Sequence, residues 1–341
     1  MANARCRWQC PEDWSEWSQW LAAGLHARSR WRLPVLLVGI LFAHGRRTVT
    51  TWLRAAGVSD DYQDYYYFLA ALGRKTKSVA TQVLLLVLRT LPLPDRLLVV
   101  LDDTPTKRYG PHVEGADIHR NPTPGPADQK YLYGHIWVTL SLALRHPRFG
   151  ALALPLRAML YVRRQTIAKI PAWREWTFAT KLYKTFLATY RPVGGVIRVV
   201  LVLEDRDWYP FFSTDPNATA VEILEAFADR ATIEQDFHDV KEVWGAGQQQ
   251  VRNIWTNVAV YHLNLWMHTL VELRSWNCPH GRLCDRRQSP WDDPQRRPSH
   301  ADRRKALQRQ IMQHELSTLA AVQPLPRKFL QLTKRLIALA V

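Results

Sequence analysis

Cysteine is scarce in this chain: Cys6, Cys10, Cys278 and Cys284 are the only ones in 341 residues. Their spacing gives neither a disulfide framework nor the tight C-x2-C pairs of a zinc site, even with His280 between the last two. Acidic residues are also few. Asp and Glu number 30 against 46 Lys and Arg, a net charge of +16 that attracts polyanions, with nucleic acid the natural candidate. Long apolar runs are missing as well. Leu33–Ala43 is only eleven residues, and Val83–Leu101 is broken by Arg89, Pro92, Pro94, Asp95 and Arg96, so no membrane partner is expected. The opening MANARCRWQCPEDW lacks the apolar centre of a signal peptide, and the expected location is cytoplasmic.

What is present suffices for a core: 47% of residues are hydrophobic, and the length allows two or three domains. Trp14–Leu25, Val35–Ala43, Thr48–Ala56, Asp60–Leu72 and Ser78–Leu91 carry apolar residues at helical spacing, punctuated by Pro34, Gly45, Gly57 and Gly73. GRRTVTTWLRAAGV, with Arg46 and Arg47 at its start, reads either as a helix laid against DNA or as part of an ordinary bundle. Leu97–Asp103 is an apolar run ending in Asp102 and Asp103, a strand delivering carboxylates at its end. Arg108–Gln129 reads as a loop in which Lys107, Arg108, His112, His119 and Arg120 either contact phosphates or are solvated. Tyr133–Leu144 and Ala151–Val162 read as a hairpin. Val251–Trp276 reads as a buried helix, Asn277–Arg304 as a loose basic segment, and Ala306–Val322 and Phe329–Val341 as terminal helices.

The most informative stretch is Ala226–Gly245, AFADRATIEQDFHDVKEVWG. Offsets of four and eleven bring Arg230, Glu234 and Lys241 to one side of a continuous helix, two cations about one carboxylate. Such a group suits Mg²⁺ beside phosphate, although on spacing alone the same stripe is an ordinary salt-bridged surface. Thr219 followed by Glu222 predicts a capping-box start, Gly245 and Gly247 a stop, and Thr232 with Gln235 a restart after a kink.

Phe227-x2-Arg230-x3-Glu234-x6-Lys241 resembles the Y-x2-R-x3-E-x6-K signature of bacterial insertion-sequence transposases of the DDE type, with Phe in the Tyr position. LLVVLDDT, FFSTDPNATAVEIL and VWGAGQQQVRN are similar to that family too. The resemblance implies a mixed α/β fold: an RNase H-like catalytic core over residues 96–276, flanked by a helical DNA-binding region over 1–95 and basic helices over 277–341. It implies Mg²⁺ held by Asp103 or Asp102, by a second Asp and by Glu234, with Arg230 and Lys241 on DNA phosphates. Of the two strand-end aspartates, Asp103 is the one expected at the metal. The implied partners are duplex DNA at the element's terminal inverted repeats and a second copy of the chain, which implies association with the nucleoid.

One part of the pattern is missing from the sequence. No apolar strand ending in a second Asp follows the hairpin, and the chain runs from a basic, Trp-containing segment straight into what resembles the end of the family's β insertion. A loss of sequence near Lys181–Tyr183 is the expected cause, leaving a truncated core with a remnant of that insertion. Glu204 and Asp205 alone follow an apolar strand, Val196–Leu203, which makes Asp205 a weak substitute; by resemblance they form a hairpin turn. The expected function is therefore a DDE transposase with defective strand cleavage. The alternatives are a non-catalytic DNA-binding remnant that interferes with intact copies, and an RNase H-like nuclease with no role in transposition.

Overall fold

The computed structural model describes residues 8–59, 62–94, 97–110, 112–121, 129–161, 178–190, 192, 194–230, 232–284, 292–293, 295–322 and 333. The chain divides into two compact units, Met1–Arg163 with Gln235–Val341, and Arg164–Glu234. The first unit opens with α1 (Glu12–Ala22), α2 (Arg32–Phe42), α3 (Val49–Ala55), α4 (Tyr62–Arg74) and α5 (Thr76–Thr90), close to the helices expected from spacing. Thr48 caps α3, its Oγ1 accepting the Thr51 N–H. The helix α2 is apolar on all sides and buried almost throughout, which makes it a core helix.

Four strands follow: β1 (Leu98–Lys107), β2 (Asp117–Arg120), β3 (Tyr131–His146) and β4 (Gly150–Tyr161). The expected loop after β1 thus contains a short strand, β2, which gains order by pairing with Tyr131–Gly134. Every pairing is antiparallel, and β3 holds β1 on one edge and β4 on the other. Among the described residues β1 has no strand on its second edge. Gly150, at φ 73°, closes the β3–β4 turn in a conformation that favours glycine. A bulge at Leu140/Ser141 leaves carbonyls of Pro155 and Leu156 outside the ladder; Thr269 Oγ1 and Trp266 Nε1 donate to them at 2.6 and 2.9 Å.

Those donors belong to α8 (Ile254–Ser275), a helix buried on nearly every face. It packs against α4, α5, α2 and β4, and its Val260, Leu263, Met267 and Leu270 join Trp14, Leu36, Trp52 and Leu154 in one core. The N-terminal helices therefore share a core with the sheet. Beyond α8 lie the short α9 (His280–Leu283) and α10 (His300–Val322). The expected loose stretch ends in structure: Arg303 and Arg304 are buried, and Arg304 donates to the carbonyls of Leu41, Ala43 and Val243 at 2.8–3.1 Å. Burial lowers its pKa to about 9. The expected helix over Phe329–Val341 lies outside the described residues, apart from Thr333.

The second unit contains β5 (Phe178–Tyr190), β6 (Gly195–Ser213) and α6 (Ala220–Arg230). The strands form a two-stranded antiparallel sheet. The expected turn at Glu204–Asp205 is not there: β6 continues through it, and the chain reverses before Gly195, where Pro192 and Gly194 (φ 79°) supply turn chemistry that Glu-Asp lacks. Asp205 consequently lies within a strand rather than past its end. The next helix, α7 (Thr232–Glu242), crosses the boundary between the units, and the first unit takes it up from Gln235 onward.

The α4–α8 contact has no room for a side chain at Gly73, where an added Cβ would lie 1.9 Å from the Trp255 carbonyl oxygen. Gly73→Ala is expected to destabilise the protein by about 1–3 kcal/mol or more, because backbone rather than a side chain must move. Gly110→Ala, which meets only an ordinary contact at 3.5 Å with Val113, is the control. Equal urea midpoints for the two variants would show that the helices are not in this close contact.

Candidate functional site

The alternation of β1 separates its two aspartates. Val100, Thr104 and Thr106 are buried, and Asp102 lies on their face, half-buried; Asp103 shares the opposite face with Val99 and Leu101, which are 53% and 61% exposed. Asp102 Oδ1 accepts the Asp103 N–H at 2.9 Å. On the Asp102 face, Lys241 Nζ of α7 donates to Thr104 Oγ1 at 2.6 Å, across 137 residues of sequence. Burial lowers the Lys241 pKa, against a smaller opposing pull from Glu242. Val240 anchors this end of α7 in a cluster with Trp137, Tyr261 and Leu265. The face of β1 that meets α7 is thus the one carrying Asp102.

The α6–α7 break alters the expected stripe. The capping box forms as read, the Thr219 N–H donating to Glu222 Oε2 at 2.7 Å and the Glu222 N–H to Thr219 Oγ1 at 3.2 Å. The helix restarts at Thr232, whose hydroxyl donates to the Asp229 carbonyl at 2.6 Å. Arg230 therefore ends α6, while Glu234 and Lys241 share α7 at an offset of seven, close to two turns.

The segment after α7 has a structural task that its sequence did not reveal. Gly245 and Gly247, at φ 75° and 97°, let the backbone fold round two arginines. Arg108 NH1 donates to the carbonyls of Gly247 and Gln249, its NH2 to Asn257 Oδ1, all at 2.9 Å, and its Nε to His135 Nδ1 at 3.2 Å. Burial brings its pKa down to about 10. With Nδ1 accepting, the His135 proton sits on Nε2 and donates to the Glu114 carbonyl at 3.0 Å. Arg108 is thus a core residue rather than a phosphate contact. Arg47 is tied in similarly: its N–H donates to Gln248 Oε1, its guanidinium to the Glu242 carbonyl, and its own carbonyl accepts from Gln249. Arg46 is exposed.

A buried polar network that sequence reading passed over joins α7, α8 and α10. Glu272 accepts from His300 Nδ1 at 2.6 Å and from Arg303 NH1 at 2.8 Å, and Trp244 Nε1 donates to His300 Nε2 at 2.8 Å. His268, stacked on His300 at 4.0 Å, has its Nε2 3.7 Å from Asp236 and 3.9 Å from Asp239. Burial works against an imidazolium there, but Asp236, Asp239 and Glu272 outweigh it and raise the His268 pKa. Burial likewise raises Asp236, so both members of that pair hold their protons to higher pH than in water. Asp239 goes the other way: burial is overcome by the neighbouring His268, and its pKa falls to about 2. The signal in the sequence was Asp236-x2-Asp239, with His268 and Glu272 one helical turn apart; without the fold nothing linked them.

A catalytic Mg²⁺ pair needs several fixed oxygen ligands. Within the unit that holds Asp102 and Asp103, the described residues bring three possible ligand atoms within 4.8 Å of one another only at Asp239, His268 and His300. That trio does not fit a cation. Both His300 nitrogens are already hydrogen-bonded, and its ring is stacked on its would-be co-ligand. The described cysteines, Cys10, Cys278 and Cys284, are free thiols.

Burial lowers the pKa of His135, His262 and His300 from 6.5 to about 4 each. The folded form then binds fewer protons than the unfolded chain between these values, so these groups contribute stability in full above pH 6.5 and lose it as pH falls toward 4. Urea unfolding at a series of pH values should give a slope of about two protons in that window, the three rings being opposed by Asp236, which keeps its proton in the folded form. His262→Gln should remove about one of them, whereas stability that is flat from pH 6.5 to 4 would show that the three rings are not buried neutral. The sign reverses for His268, whose contribution is complete below 6.5 and fades as pH rises through its raised value.

No helix among the described residues is long and apolar enough to cross a membrane. No curated protein matches the chain. Residues 21–173 match the family model of the DDE superfamily endonuclease, a stretch that includes β1 with both aspartates and the β3–β4 hairpin and stops ahead of α7.

Proposed function

We propose that this chain is a DNA-binding protein derived from an insertion-sequence DDE transposase, with an RNase H-like core whose strand-cleaving chemistry is incomplete. The observation that carries this reading is the Lys241–Thr104 contact. It brings the lysine of the R-x3-E-x6-K signature against the strand that bears the aspartates, and that strand lies inside the segment matching the DDE endonuclease family. The register of β1 favours Asp102 over Asp103 as the carboxylate on the face that Lys241 meets. Arg230 and Lys241 remain the proposed phosphate contacts of the signature. Of the N-terminal pair, exposed Arg46 is the better DNA contact, since Arg47 spends its N–H groups inside the protein.

The incompleteness rests on two observations. The β1 strand has no partner on one edge among the described residues, which is where a strand delivering a second aspartate would pair. Among the described residues of their own unit, no group of three ligand atoms that includes Asp102 or Asp103 comes together. A loss near Lys181–Tyr183 accounts for both. A dimer bridging two element ends, and binding to duplex DNA through the +16 charge, complete the proposal.

The decisive experiment is cleavage of a plasmid carrying the cognate ends, with Mg²⁺ or Mn²⁺ and with Glu234→Ala as the blank. No metal-dependent nicking is expected. Nicking that vanishes in Glu234→Ala would overturn the proposed defect, and Asp102→Asn against Asp103→Asn would then identify the working aspartate. Binding is tested separately on a heparin or duplex-DNA column. Elution should move steeply with salt, since each phosphate neutralised releases about 0.9 of a counterion on duplex DNA; retention indifferent to ionic strength would exclude a polyanion-binding role.

A further inference from the structure

The C-terminal turn of α8, the short α9 and the first half of α10 enclose a cavity of about 440 Å³. Among the described residues four arginines line it, Arg274, Arg282, Arg303 and Arg309, and no aspartate or glutamate does. Its volume lies within the roughly 300–1,000 Å³ usual for small-ligand sites. One wall is apolar, formed by Val271, Leu283 and Leu307.

Two of the arginines are fixed by contacts that leave donors over. Arg303 is 3% exposed; its NH1 is engaged by Glu272 at 2.8 Å, and its guanidinium lies 4.7 Å over the Phe149 ring. Its Nε and NH2 are buried without a hydrogen-bond partner. Arg274 pairs through NH1 with Asp13, and its Nε is likewise unpartnered. Buried N–H groups without acceptors are uncommon because each one forgoes its hydration. An oxyanion is the ligand that answers several guanidinium donors at once, and phosphate does so with geometry that matches the planar fork.

We propose that this cavity binds the phosphate of a nucleotide, with the arginines on the phosphate and the apolar wall against the nucleoside. This goes beyond the reading of the DDE core, since none of these residues belongs to the strand or helix that carries the signature. The nucleotide has two possible sources, a free mononucleotide or the phosphorylated end of a DNA strand, and the test separates them.

Cys278 lines the cavity, and Cys284 does not, which gives a local probe and an internal reference within one protein. The full chain is treated with N-ethylmaleimide alone, then with inorganic phosphate, adenosine monophosphate or a short 5′-phosphorylated single strand, each at matched ionic strength with chloride as control. Modification at the two cysteines is followed by peptide mass spectrometry. Slowing of Cys278 by about fivefold or more, with Cys284 unchanged, is the expected result for at least one phosphate probe. Protection by the mononucleotide assigns a free ligand, protection by the strand alone assigns a DNA end, and either supports the site. No protection by any probe overturns it, and so does equal slowing at both cysteines. Arg282→Gln and Arg309→Gln alter exposed or half-exposed positions and should each raise the probe concentration needed for protection about tenfold, the scale of one lost charge-assisted bond. Protection left intact in both variants, with unchanged tryptophan fluorescence, would likewise refute the arginine assignment.

Discussion

A carboxylate buried in the core has to be answered by cations, and much of the first unit is arranged around the answer to Glu272, in the last turn of α8. Burial opposes its charge, while His300 and Arg303 supply enough opposing potential to hold its pKa below the usual carboxylate range. Both partners come from α10, so the C-terminal helix cannot leave without exposing an unpaired charge in the core. Breaking such a pair on one side costs about 3–5 kcal/mol, far more than a surface ion pair contributes. The preceding turn of α8 presents His268 to Asp236 and Asp239, which ties α7 to the arrangement. Three helices distant in sequence are thereby held in one register by polar contacts inside an otherwise apolar core.

The segment 245–257 extends the same logic to the sheet. Arg108 emerges from the end of β1 and is surrounded by carbonyls of Gly247 and Gln249 and by Asn257 at the start of α8. The sharp backbone turn needed to present two carbonyls to one guanidinium explains the glycines at positive φ. Since α7 precedes this turn directly, fixing Arg108 also fixes where Lys241 meets Thr104. The lysine of the signature is positioned by residues that carry no chemistry themselves.

Much of the first unit was legible in the sequence, because apolar spacing directly reports which face a helix buries. The five N-terminal helices, the β3–β4 hairpin and the all-round burial of α8 were read this way, and in the second unit the Thr219-x2-Glu222 spacing marked the capping box. Register was not legible: Asp102 and Asp103 differ by one position in a strand, and only pairing with Thr139 and Val138 shows which face each takes. The turn between β5 and β6 was misplaced because an apolar run ending in Glu-Asp resembles a strand end, although Pro192, Gly194 and Gly195 carried the true turn signal. The polar network of Glu272, His268 and His300 was hidden for a different reason. Single histidines and carboxylates on a mostly apolar helix have no periodicity, and their partners are fixed only when helices pack.

Fold and chemistry have separable requirements in this chain. Among the groups that hold the first unit together, Glu272, Arg304 and Arg108 are buried and hydrogen-bonded within it, and Arg303 is buried with its NH1 on Glu272. The aspartates of β1 are half-buried or exposed. Loss of a strand beside β1 would open one edge of the sheet, next to Val99 and Leu101, which are 53% and 61% exposed. Such a chain keeps the +16 charge on which the proposed DNA binding rests. The geometry that strand cleavage demands is the part it can lose without unfolding, because about 1 Å of misplacement already costs around 100-fold in rate.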